Sequence, residues 1–221
     1  MADITLKLKG TTKQIAEEIL KQLNVGLAYA IKLAAPLIKR EIRLLVEDTL
    51  RNSPTLMDLT RGDLRGQMGL PAGRAGSAVE GIIRSISNTI EVVPHKGKLK
   101  SKGGVNAISI EAQPTHFQNL TNLPQGAQRY FSNRYKRMVN LKWLDWLLFE
   151  GDRIIVGTFH FEGSNKGRSG LGTMKTGGSF RVPPYYAGTA NSNFVTRAFS
   201  DTQFQSEMQN IIKKSLEKHW K

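Results

Sequence analysis

Apolar residues near the start of the chain recur at helical spacing, with Ile15, Ile19, Leu23, Leu27 and Ile31 each four positions apart. Residues so spaced share one face of a helix, and Thr11 followed by Gln14 is a capping-box signature, so a long amphipathic helix is expected here. Pro36 lacks the N–H that a helix interior needs, which predicts a kink or break near Ala34 before Ile38, Ile42 and Leu45 continue the stripe to about Leu50. Ser53-Pro54 is read as its end. Thr60 and Asp63 offer a cap for a short helix that stops at Gly69-Leu70-Pro71, and Ala78 to Ile86 supplies a third helix.

Alternation replaces this period elsewhere. Met1 to Gly10 sets Ile4, Leu6 and Leu8 against Thr5, Lys7 and Lys9, a strand pattern without the apolar core of a secretory signal. Ile90 to Val93 and Val105 to Glu111 read as two strands, the second with Ile108 and Ile110 on one face, joined by a lysine-rich hairpin tip over 96–104. Arg153 to Glu162 is the clearest strand signal, and Phe180-Arg181-Val182 is a last short strand that Pro183-Pro184 stops. Phe194 to Phe199 and Phe204 to Trp220 close the chain as helices, with Met208, Ile211, Ile212 and Leu216 on one face. The expected fold is a single α+β domain over 1–221: a mixed or antiparallel sheet packed against a long N-terminal helix and a C-terminal helix, with long basic loops.

Gly163 to Gly178 contains six glycines together with Lys166, Arg168 and Lys175 and has no periodicity. It is expected to be a mobile assembly loop, as is the 96–104 tip, because long loops in compact domains usually serve a partner.

Charge changes the picture. Thirty-two Lys and Arg against eighteen Asp and Glu leave a formal charge of +14, which favours contact with polyanions. The absence of cysteine excludes disulfides, thiolate metal sites and cysteine nucleophiles. No apolar run approaches the ~20 residues of a membrane span, so a soluble protein without membrane partners is expected.

The candidate chemistry is sparse. Gly163-Ser164-Asn165-Lys166-Gly167-Arg168-Ser169 does not match a phosphate-cradling loop, because the glycine spacing is one residue short and arginine replaces the required lysine. His95, His116, His160 and His219 include no pair at the spacing that directs two imidazoles to one metal. Asp145, Glu150 and Asp152 cluster as nuclease carboxylates do, but Asp145 also fits the solvated side of a helix bearing Trp143, Leu144, Leu147 and Leu148. No catalytic, cofactor or metal residue is assigned, and the chain is not expected to be an enzyme.

Two basic groups stand out. Lys96, Lys98, Lys100 and Lys102 fall at alternate positions, so an extended segment projects all four to one side, a comb suited to a phosphate backbone or to a solvated hairpin tip. Contact of all four with DNA would contribute about −3.6 to the slope of log affinity against log salt. Arg129, Arg134, Lys136, Arg137 and Lys142 interleave with Tyr130, Phe131 and Tyr135, a mixture able to stack on bases or grip a neighbouring subunit.

The order of Leu64-Arg65-Gly66-Gln67-Met68-Gly69-Leu70-Pro71, Trp143 to Gly151, the Gly163 to Gly178 loop and Val182 to Thr189 followed by Asn193 to Phe199 resembles the neck or tail-completion proteins of long-tailed bacteriophages. The resemblance implies a virion protein at the head–tail junction, assembled in the host cytoplasm as a ring, commonly a hexamer, between portal-side and tail-side proteins, with DNA passing through the lumen. Lys96, Lys98, Lys100 and Lys102 are then candidates for the lumen. Lys166, Arg168, Lys175, Arg181, Tyr185, Tyr186, Arg129 and Arg134 are candidates for subunit or partner contact. The alternatives are a basic nucleic-acid-binding module and a metal-dependent nuclease.

Overall fold

The apolar stripe at the start of the chain becomes one uninterrupted helix, α1 (Thr12–Arg51), in a computed structural model that describes residues 12–95, 107–111, 117–132 and 136–220. The expected break at Pro36 does not occur. Pro36 and Lys32 one turn before it are both exposed, so the carbonyl left without an N–H partner faces water. The strand expected over Met1 to Gly10 lies outside the described residues.

Ser53-Pro54 ends α1 but also begins a helix the sequence pattern did not show, α2 (Pro54–Arg61), with proline at its first turn, where no N–H is needed. The Ser53 hydroxyl turns back to donate to the Leu50 carbonyl at 2.7 Å. A short α3 (Asp63–Gln67) follows, capped by Gly62 rather than Thr60, and α4 (Ala72–Ser87) starts a turn and a half before the predicted Ala78. Ala34, Ile38, Ile42, Val46 and Leu50 of α1 and Val79, Ile82, Ile83 and Ile86 of α4 are buried in one core. Each of the valine, isoleucine and leucine side chains contributes roughly 1.5–3 kcal/mol by leaving water.

The α+β class holds, but the strands described do not join into one sheet. They form three antiparallel hairpins: β1 (Glu91–His95) with β2 (Ala107–Glu111), β3 (Gln128–Ser132) with β4 (Arg137–Leu141), and β5 (Phe159–Gly163) with β6 (Gly172–Thr176). Short helices intervene: α5 (Gln118–Thr121), a 3-10 turn at Pro124–Gly126, and α6 (Trp143–Leu148), whose Trp143, Leu144, Leu147 and Leu148 are buried as the periodicity predicts.

The predicted strand over Arg153 to Glu162 shrinks to β5 and a single bridge from Val156 to Phe180, which is all that remains of the strand expected at Phe180 to Val182. Gly163 to Gly178 is not one long loop, since β6 occupies its second half and pairs Phe159 with Thr176 through Gly163 with Gly172. Glycine composition hid this strand. At Gly172 a Cβ would come 2.3 Å from the Phe161 ring, so the residue type is dictated by close packing and not by flexibility.

The chain ends in α7 (Phe194–Phe199) and α8 (Thr202–His219). α8 runs antiparallel to α1, because Phe204 near its start lies by Asp48 and Asn52 while Leu216 and Trp220 at its end lie by Leu27.

Candidate assembly surfaces

Segments far apart in sequence interlock in this body. Gly66 of α3 lies against Leu171 and Phe161 of the third hairpin, where an added Cβ would meet Leu171 Cβ at 2.9 Å. The Arg168 guanidinium Nε donates to the Gly69 carbonyl at 3.0 Å, and Gly69 adopts φ +66°, a conformation that favours glycine. The Leu64 to Pro71 segment and the glycine-rich segment thus form one joint.

A second joint ties α6 to the segment after Phe180. The Gly151 N–H donates to the Gly188 carbonyl at 2.9 Å, and a Cβ on Gly188 would fall 1.9 Å from the Leu147 carbonyl oxygen. Trp146 meets Phe180 edge-on with centroids 6.3 Å apart. Asn193, fully buried, closes the joint: Oδ1 accepts from the N–H groups of Val195 and Thr196, and Nδ2 donates to the Thr189 carbonyl.

These joints decide where the predicted contact residues stand. Lys166 and Lys175 are exposed on the third hairpin, whereas Arg168 is folded onto Gly69. Arg181 is exposed and lies 4.0 Å from Asp152. Arg129 is exposed on the second hairpin. Lys96, Lys98, Lys100 and Lys102 and Arg134 lie outside the described residues, as does His116. The basic candidates that are described therefore fall in three places: Lys166, Arg168 and Lys175 on the third hairpin, Arg129 on the second, and Arg181 between β6 and α7.

Tyr185 and Tyr186 have opposite fates. Tyr186 is half-buried, and burial, with the adjacent Asp58 carboxylate adding to it, raises its phenol above the ordinary value. Tyr185 is 67% exposed, stacked edge-on against Tyr186. It lines a cleft of about 740 Å³ between the end of α1 and the α7–α8 corner, together with Asp48, Arg197, Asp201 and Glu207. Two of those carboxylates already serve the fold: Asp201 caps α8 by accepting from the Gln203 N–H at 2.7 Å, and Glu207 accepts from the Gln203 amide at 2.9 Å.

The carboxylates considered for nuclease chemistry are spread among structural tasks. Glu150 pairs with Arg153, Asp152 with Arg181, and Asp145 is held above its usual carboxylate value chiefly by burial. Among the described residues no group of three or more His, Asp or Glu side chains is placed to hold a metal. No helix among them is long and apolar enough to cross a membrane.

The surface that sequence reasoning missed is on α1. α8 ends beside Leu27, but α1 begins at Thr12, so about fifteen residues, roughly 22 Å of helix, extend past the end of their partner. On this overhang Ile19 is 54%, Leu20 54% and Leu23 49% exposed. The signal was available as a mismatch of length, a 40-residue helix against an 18-residue one.

Comparison with protein-family models, with curated proteins and with solved structures returns no match for the chain.

Proposed function

We propose that the chain is a structural protein of a long-tailed bacteriophage virion, a head–tail joining protein that assembles in the host cytoplasm into a ring, commonly of six copies, between portal-side and tail-side proteins. The observation that carries this reading is the overhang of α1: a helix whose apolar stripe outruns its intramolecular partner is built to be covered by another chain. The resemblance of the Leu64 to Pro71, Trp143 to Gly151 and Val182 to Phe199 segments supplies the setting, and these segments form the joints that stiffen the body behind the overhang.

A charge of +14 suits a protein encircling DNA, and cyclic repetition of one modest contact makes a stable collar from subunits that bind each other weakly in isolation. In this reading Lys166, Lys175, Arg129 and Tyr185 face neighbours, and Lys96, Lys98, Lys100 and Lys102 face the lumen.

The test is cryo-electron microscopy of particles containing the chain, with native mass spectrometry of the purified protein. The expected result is a closed ring at the junction of capsid and tail. Density for the chain elsewhere in the particle would refute the reading. A monomer that binds DNA with a steep salt dependence, and has no affinity for a connector, would support the basic nucleic-acid-binding module instead.

A further inference from the structure

Exposed apolar residues of α1 begin in the overhang and continue past Leu27 to Tyr29 and Leu33. Placed at 100° per residue, Tyr29, Leu33, Ile19, Leu23, Ala16, Leu27 and Leu20 span roughly 180° of the helix circumference. Of these, Ile19, Leu20, Leu23, Tyr29 and Leu33 are all exposed. A seam against one facing helix is narrower than this, so the arc has room for two neighbours.

Charge indicates the kind of neighbour. Between Thr12 and Gly26 the overhang carries Lys13 and Lys21 against Glu17 and Glu18, so this segment is neutral on a chain of +14. An amphipathic helix that lies on an anionic membrane, or that grips nucleic acid, concentrates Lys and Arg on its polar face. Here Lys21 instead pairs with Glu18 at 3.5 Å on the helix's own surface. The segment is a part of a strongly basic molecule where two copies approach without mutual repulsion. The apolar cleft of about 430 Å³ formed by Leu27, Ile212, Leu216 and Trp220 adjoins it, so a helix laid on the overhang continues the packing that α8 makes further along.

We infer that the occupant is the same segment of neighbouring copies: the α1 overhangs pack side by side, each between two others, into a bundle of helices running in the same direction. The shared direction rests on the ring reading, since cyclic symmetry repeats one orientation. The self-association itself does not rest on it.

The test uses the full chain. Sedimentation velocity across the micromolar range is expected to show oligomers of the unaltered protein. Leu20→Glu with Leu23→Glu weakens association by roughly a hundredfold or more, because two apolar contacts per copy are replaced by charge. Both side chains are exposed in the isolated subunit, so its circular dichroism melting curve stays in place. Val25→Glu, on the polar side of the helix, leaves association intact. Because the chain has no cysteine, pyrene attached at Lys13→Cys reports direction: excimer emission is expected when N-terminal ends lie together.

A monomer at every concentration, association indifferent to the double substitution, or absence of excimer in the oligomer overturns the inference. Binding to phosphatidylserine vesicles in place of self-association also overturns it. A bundle formed by a protein found away from the phage junction sinks the ring reading alone, whereas a junction ring whose α1 segments stand apart sinks this inference alone.

Discussion

Replacing Asn193 by alanine tests whether the segment from Val182 to Phe199 is held by one buried side chain. Asn193 is fully buried and makes three side-chain hydrogen bonds, to the Val195 N–H at 3.0 Å, the Thr196 N–H at 3.1 Å and the Thr189 carbonyl at 3.0 Å. Its own N–H donates to the Thr196 hydroxyl at 2.8 Å, completing a capping box. Loss of the cap costs about 0.5–2 kcal/mol, and loss of the amide bond to Thr189 adds about 0.5–1.5 kcal/mol. The expected total is about 1–3.5 kcal/mol, read from the urea midpoint at unchanged slope. Asn193→Asp keeps the acceptor for both N–H groups but sets a carboxylate oxygen against the Thr189 carbonyl in a fully buried site, and should be no more stable than alanine at neutral pH. An alanine variant within about 0.5 kcal/mol of the native protein would refute the assignment of this joint to Asn193.

Three further outcomes follow from other parts of the molecule. Pro36→Ala restores a hydrogen bond inside α1 and is expected to stabilise by about 1–3 kcal/mol in the same denaturation assay, with no gain if the helix were broken there. Burial places the folded-state pKa of Asp145 above its ordinary value of 3.8, with Lys142 opposing the shift and Glu150 adding to it. Its contribution is present below that value and lost as pH rises through the folded-state pKa, so Asp145→Asn should be more stable than the native protein at neutral pH, with the difference disappearing in acid. Trypsin should cut the free protein slowly at Lys166, Arg168 and Lys175, because β5 and β6 are paired and Arg168 is engaged with Gly69; rapid cleavage there would contradict the hairpin.

Much of the helical framework is legible in the order of residues. Helical periodicity and capping residues are local, so α1, α6 and α8 follow from the spacing of Ile38, Ile42 and Leu45, of Trp143 and Leu147, and of Met208, Ile211, Ile212 and Leu216. The errors occur where local signals have two meanings. Pro54 ends one helix by the same property that starts the next, and Pro36 is tolerated because its side of α1 faces water. The glycines of the third hairpin read as looseness, yet Gly172 is required by the approach of the Phe161 ring.

The amphipathic stripe of α1, the excess of positive charge and the lack of cysteine are legible without a fold, because each is a property of residue types and their spacing. Which part of that stripe is covered depends on packing between distant elements. Leu27 and the buried residues after it meet α8 and the core, while Ile19, Leu20 and Leu23 stay exposed among the described residues, because α8 has run out of length. Coverage is a relation between elements distant in sequence, and no periodicity within one of them encodes it.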